Sequence, residues 1–241
     1  MQLPVHTRPV QPGFLDVDPR LRFSPAAYWR VFQDAAAEHA RLLGAATEDL
    51  RRAGQTWMLS RMVLEVERPP LLGENLRVET WPSTQLRGVR AVRDFALFHE
   101  SGERLASATS LWVIVDLATR RPQRIPDKIV ALRHDPGYPV PTFSPELPSI
   151  AQPTHTRTFR AEWSDVDQNE HLNNVAYVRW AVDSLPVPFL EAHALRRVEV
   201  HYLAEIPLGA SAEMRTSLAD NRAEQELWLG DKLAARIALA A

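Results

Sequence analysis

Between Trp163 and Tyr177 the chain reads Trp-Ser-Asp-Val-Asp-Gln-Asn-Glu-His-Leu-Asn-Asn-Val-Ala-Tyr. Asp167, Asn169 and His171 alternate, so an extended loop would place all three on one side. The segment leads into a predicted helix. Val175, Val178, Val182 and Leu185 recur at helical spacing behind Asn173 and Asn174. A helix N-terminus offers free backbone N–H groups and the positive end of its dipole. A carboxylate, an amide, an imidazole and an electropositive helix end together suit hydrolysis of an acyl compound. The helix end would hold the oxyanion, and imidazole or carboxylate would move protons.

Plainer readings compete. Asparagine before a helix is often only a cap, and that serves for at least one of Asn173 and Asn174. Asp165-x-Asp167-x-Asn169 imitates the start of a calcium loop, which needs Gly at its sixth position and Glu at its twelfth. Glu170 and Ala176 stand there instead, so calcium is excluded and no metal site is expected. His171 taken alone reads as a structural histidine.

A repeat bears on these readings. Asp16, Asp18 and Tyr28 recur 149 residues later as Asp165, Asp167 and Tyr177. Pro70-Leu71-Leu72-Gly73 resembles Ile206-Pro207-Leu208-Gly209, and Gly102-Glu103-Arg104-Leu105-Ala106 resembles Gly230-Asp231-Lys232-Leu233-Ala234. The order is the same, which points to a duplicated unit packed as a pseudo-dimer. In the first copy Arg20 and Arg22 stand where the second has Asn169 and His171. A helix-capping device would be needed in both copies, so the polar set reads as a site confined to the second.

The elements that must position this site follow the same plan twice. Six of the 19 prolines fall between His134 and Pro153, which excludes a helix or central strand and predicts a semi-rigid linker. It divides the chain into 1–133 and 154–241. In the first part Ser24-Pro25 starts a helix running to about Leu43. Strands are expected over Trp57–Glu67, Asn75–Trp81, Val89–Phe98 and Arg104–Val115. In the second part the helix behind Asn173 precedes strands over Arg197–Tyr202, Ala212–Ser217, Glu224–Leu229 and Leu233–Leu239. A long helix followed by an antiparallel meander, twice over, predicts an α+β fold whose sheets wrap the helices.

Composition narrows the function. The 241 residues are 45% hydrophobic and 24% charged, which fits a folded globular chain. Net charge is −2, so no bulk attraction to nucleic acid or an anionic membrane is expected. The chain has no cysteine, which excludes disulfides, thiolate metal sites and a cysteine nucleophile. Lys128 and Lys232 are the two lysines; the remaining cationic side chains are arginines, best ascribed to a GC-rich genome. The first ten residues lack a signal-peptide core, and Leu111 to Val115, the most apolar run, is far too short to span a bilayer. A soluble, cytoplasmic protein is expected.

The segment Trp163–Trp180 resembles the signature of the acyl-ACP thioesterases, the plant fatty-acyl enzymes and their bacterial relatives. Residues 56–82 and 108–126 resemble the N-terminal half of that family. The resemblance implies two tandem hot-dog domains, each a long helix wrapped by an antiparallel sheet. It implies hydrolysis of the thioester between a fatty acyl chain and the arm of acyl carrier protein, with no cofactor. It assigns the catalytic Asp, Asn and His to Asp167, Asn169 and His171, and a catalytic Glu to Glu205. The plant enzymes carry a Cys after that Glu; here Ile206 stands in its place, so either the Cys is dispensable or this protein is impaired, and the complete acid–base set favours the first.

On this reading Glu205 activates water or attacks directly. His171, oriented by Asp167, shares the proton work. The helix near Asn174 and the Asn169 amide hold the oxyanion. Trp57, Met58 and Met62 are candidate liners of an acyl pocket in the N-terminal domain, against the plain reading of core packing. Arg120, Arg121 and Arg124, with Lys128 and the Arg196-Arg197 pair, offer a basic face for the acidic carrier. An acyl-CoA thioesterase, a hydratase or dehydratase and a non-enzymatic acyl-binding module are the rivals. The tandem could supply its own two-fold pairing as a monomer, and sheet-edge contact among single-domain relatives equally leaves a homodimer open.

Overall fold

The structure, a computed structural model, describes residues 4–84 and 88–241. In the first half β1 (His6–Val10) precedes α1 (Pro25–Leu42) and α2 (Thr47–Arg52). Then come β2 (Gln55–Val66), β3 (Leu76–Pro82), β4 (Arg90–His99), β5 (Arg104–Asp116), the two-residue β6 (Pro122–Gln123) and α3 (Asp127–Val130). The second half holds β7 (His155–Arg160), α4 (Asn174–Asp183), α5 (Val187–Ala192), β8 (Arg197–Tyr202), β9 (Ser211–Leu218), β10 (Arg222–Leu229) and β11 (Lys232–Ala240). The eight expected strands all form. β1 and β7, too short and polar to stand out by pattern, were not anticipated.

α1 starts as its sequence requires. Ser24 Oγ accepts the Ala27 N–H at 3.3 Å, and Pro25 occupies the first turn. The helix of the second half departs from the expectation. Val175, Val178 and Val182 lie in α4, but Leu185 falls beyond its end at Asp183. Pro186 disfavours helix at the residue before it, so the chain breaks and restarts as α5 with Pro186 as its N-cap.

The strands form one 11-stranded antiparallel sheet in the order β1-β3-β4-β5-β2-β8-β11-β10-β9-β7, with β6 paired to β5. The order on one side of the β2–β8 seam mirrors the order on the other. At the seam Arg61 faces His201 and Glu65 faces Arg197. α1 and α4 lie side by side on one face, and a single core cluster joins both halves, including Trp29, Phe32 and Phe95 with Tyr177, Val200 and Met214. Burying such large side chains contributes about 1.5–3 kcal/mol each. A second cluster of Leu50, Ile114, Ile125 and Ile129 sits with α2 and α3.

The proline-rich segment crosses the opposite face, where Glu199 and His201 point. The Glu199 carboxylate accepts the Ser144 N–H and Oγ–H, both at 2.8 Å, the His201 Nε2 hydrogen at 2.9 Å and an Arg197 N–H at 2.9 Å. Arg61 and Arg197 also reach the segment's carbonyls at Ser144 and Thr142. Burial alone would raise the Glu199 pKa, but the bonds from His201, Ser144 and Arg197 outweigh it and hold the group at about 2. A carboxyl depressed in the folded state contributes stability above its unfolded pKa and loses it as the pH falls through the folded one. Glu199→Gln should therefore cost roughly 2–3 kcal/mol at neutral pH and flatten the loss of stability between about pH 5 and 2. Chemical denaturation across that range measures both effects.

Candidate active site

The loop from Asp165 to Asn173 is a compact turn, not the extended loop that alternation implied. The Asp167 N–H bonds the His171 carbonyl at 3.0 Å, and the Glu170 N–H bonds the Asp167 carbonyl at 2.9 Å. Glu170 adopts a positive φ of 62°. The loop docks on the chain after β8 through Leu172 N–H to Ile206 carbonyl at 2.8 Å, which brings Glu205 alongside. Asn173 is the N-cap of α4, its Oδ1 accepting the Val175 N–H at 2.9 Å. The Asn174 N–H is left without an acceptor among the described residues.

The first copy of this loop has the same backbone. Asp18 N–H bonds the Arg22 carbonyl, Phe23 N–H bonds the Pro70 carbonyl, and Leu21 has φ 61° where Glu170 has 62°. Arg30 pairs with Asp16 as Arg179 pairs with Asp165. Asp18 Oδ1 accepts the Arg20 N–H at 2.8 Å, as Asp167 Oδ1 accepts the Asn169 N–H at 2.8 Å. Both aspartates are thus turn-forming residues. No hydrogen bond joins Asp167 to the His171 ring among the described residues. The group that faces this ring is Glu205, whose Oε2 lies 3.6 Å from His171 Nε2.

Asp167, Asn169, His171 and Glu205 line one cavity of about 890 Å³ that runs between the halves. Asn174, Trp57 and Met58 line it too. Met62 is packed into the core instead. α1 and the first sheet half supply much of the apolar wall, including Ala36, Ala40, Leu59 and Trp112. Arg93 adds a charge to that wall, bonded to Thr80 Oγ1 at 3.2 Å and His39 Nδ1 at 3.1 Å. Burial pulls its pKa down to about 10, so it remains a cation at neutral pH. Tyr177 anchors α4 by donating to the Ala204 carbonyl at 3.0 Å, next to Glu205. Tyr202 donates to the Asn174 carbonyl at 3.3 Å and accepts from Trp29 Nε1 at 2.9 Å.

Two cationic side chains of the first half reach into the site. Arg51, in α2, donates to Asn169 Oδ1 at 2.6 Å and to the Gln168 carbonyl at 3.3 Å. Arg120, in the turn between β5 and β6, is ion-paired with Glu205 Oε1. Arg121 is exposed, and Arg124 pairs with Asp127 at 3.0 Å. Arg196 donates to the Val66 and Glu67 carbonyls, and the Lys128 side chain lies outside the described set. No cluster of metal-ligating side chains occurs among the described residues, and no described helix is long and apolar enough to cross a membrane.

The family models for the N-terminal and C-terminal domains of acyl-ACP thioesterases match residues 8–132 and 149–235. The chain belongs to the acyl-ACP thioesterase family. Among curated members, the chloroplastic palmitoyl-acyl carrier protein thioesterase of Gossypium hirsutum is 30% identical over 220 residues, covering 83% of this chain and 51% of that protein. Oleoyl-acyl carrier protein thioesterase 1 of Arabidopsis thaliana is 28% identical over 194 residues, covering 73% and 53%. The chain thus spans about half the length of the curated relatives it matches. The acyl-ACP thioesterase structure from Bacteroides thetaiotaomicron superposes with a TM-score of 0.88 at 25% identity, covering 98% of this chain and 97% of that one. The 12:0-ACP thioesterase of Umbellularia californica shares the fold, with a TM-score of 0.87 at 23% identity, covering 100% and 98%. These likenesses bear out the tandem hot-dog architecture.

Some residues of this thioesterase-family site escaped the sequence reading. Arg51 sits in a six-residue helix with no periodic signal. Arg120 was expected on a docking face and is engaged with Glu205 instead. Tyr202 and Trp29 carry no role in that reading, and their mutual hydrogen bond depends on the tertiary pairing of the two halves.

Proposed function

We propose that the protein hydrolyses the thioester of a fatty acyl chain carried on acyl carrier protein, releasing the fatty acid and the carrier's free thiol. One observation carries the reading beyond family membership. The four polar residues converge on one cavity of about 890 Å³, part of whose remaining wall, with Ala36, Ala40, Leu59 and Trp112, is apolar and suits an acyl chain. The carbonyl would rest at the N-terminus of α4. There the Asn174 N–H and the Asn169 amide are available to its oxygen as charge develops. Glu205 takes a proton from the attacking water. The tetrahedral intermediate then collapses, the carbon–sulfur bond breaks, and the proton reaches sulfur with the help of His171. Thiolate leaves readily, so strong acid catalysis is not required.

The test is release of free thiol from a panel of acyl-ACPs of graded chain length, each also offered as its CoA ester. A thiol reagent reads the product directly, because the protein contains no cysteine. Preference for the ACP series supports the proposal, equal or better turnover of CoA esters assigns the carrier to CoA, and no thiol release from either series overturns hydrolysis. With Arg120 drawn into the site by Glu205, docking of the acidic carrier falls to exposed Arg121 and to Arg124, whose pair with Asp127 is open to solvent. Reversing both charges should raise KM for acyl-ACP about tenfold at low salt and leave kcat near the parental value. An unchanged KM would exclude that face.

A further inference from the structure

Both catalytic groups that must be aimed, the Asn169 amide and the Glu205 carboxylate, are gripped by arginines from the other half of the molecule. A guanidinium has donors and no acceptor. The amide atom 2.6 Å from Arg51 Nη2 is therefore oxygen, and the planar group must turn its NH2 away from Arg51. Asn169 lines the cavity, so this orientation offers an N–H donor where a carbonyl oxygen would need one. Glu205 is divided in the same way. Oε1 is held by Arg120, and Oε2 is left facing His171 Nε2.

The backbone at Arg120 is a second, independent observation. Its φ is 57°, the left-handed region that a non-glycine residue enters at about 1 kcal/mol or more. The Asp116 carboxylate builds the turn, accepting the Ala118 N–H at 3.1 Å, the Thr119 N–H at 2.7 Å and the Thr119 hydroxyl at 2.8 Å. Glycine would fit the position without strain. Half-exposed ion pairs contribute at most about 1 kcal/mol, so the pair with Glu205 hardly offsets that strain. A role in the reaction accounts for the arginine better than a role in stability does.

The geometry points to Arg51 and Arg120 as positioning residues: Arg51 turns the Asn169 amide so that its N–H faces the substrate oxygen, and Arg120 holds the Glu205 carboxylate aimed at His171. The inference rests on the hydrolase reading. The N-terminal half would then supply two parts of the active site as well as the acyl wall. Other titratable groups lining the cavity include His171, Asp167 and Glu170 from the loop, Tyr177 on α4, Tyr202 on β8 and Lys232 at the start of β11.

The experiment compares Arg120→Gly, Arg120→Lys, Arg51→Met and Arg51→Lys with the parent on an acyl thioester that the parent cleaves. Arg120→Gly should lower kcat about 10–100-fold with KM within about twofold. Its Tm should equal or exceed the parent's, because the strained residue is gone, and Arg120→Lys should recover part of the rate. Arg51→Met should lower kcat about tenfold, with partial rescue in Arg51→Lys. Parental kcat in Arg120→Gly would overturn the Arg120 assignment. A raised KM at constant kcat in Arg51→Met would reduce Arg51 to a docking group. A crystal structure of Arg120→Gly needs no turnover and separates this inference from the hydrolase reading. Its Glu205 carboxylate should swing away from the His171 ring, and a carboxylate still facing Nε2 overturns the Arg120 role even if no thioester is cleaved.

Discussion

Glu205→Gln should lower kcat on acyl thioesters by about 10²–10⁴ while KM changes little. Glutamine keeps the size of the side chain and can still accept from Arg120, so the loop against Ile206 should survive. What disappears is the basic carboxylate. The apolar walls proposed for the acyl chain are untouched, which is why the effect belongs in kcat. His171→Ala should show a loss of similar size, and the two together should be less than additive because they serve one proton path. Steady-state rates on the best acyl thioester of the panel measure this. Turnover near the parental rate in both single variants would remove the acid–base assignment.

The largest effect on stability is expected at Trp29. The side chain is completely buried, and its indole N–H is the donor to Tyr202. Burial also keeps the Tyr202 hydroxyl protonated well past neutral pH, so it can donate onward to the Asn174 carbonyl. Trp29→Ala should cost about 3–5 kcal/mol, the range for emptying a large aromatic site in a packed core. Trp29→Phe keeps most of the volume and removes the N–H, so about 1–2 kcal/mol is expected. Urea unfolding of the three proteins checks both numbers. A loss below about 1 kcal/mol for Trp29→Ala would mean that α1 and α4 re-pack around the gap.

Much of the architecture was legible because the polar punctuation and the apolar periodicities agree. Ser24-Pro25, the glycines at 73, 102, 209 and 230, and the alternating strands each carry a local signal. Two features escaped, one because its cause lies in distant pairing and one because the periodicity hid a local signal. β1 and β7 are held as edge strands by pairing with β3 and β9, and α4 is cut short by a proline that the valine spacing overlooks. The site was legible in part. The duplicated loop keeps its backbone with Arg20, Leu21 and Arg22 in one copy and Asn169, Glu170 and His171 in the other, so Asn169 and His171 are not there to shape the turn. That inference could be drawn from the repeat alone. The roles of Arg51 and Arg120 could not, since each reaches its partner from a residue 118 or 85 positions away in the chain.

The seam between β2 and β8 has a consequence for what each half is free to become. In an assembly of identical subunits every change appears twice and must suit both places. Here each half always meets the same unlike neighbour, and a substitution is felt once. One half can therefore abandon its own reaction centre, fill the vacated loop with arginine, and specialise as a container. The other can keep a polar site whose cavity it could not enclose alone.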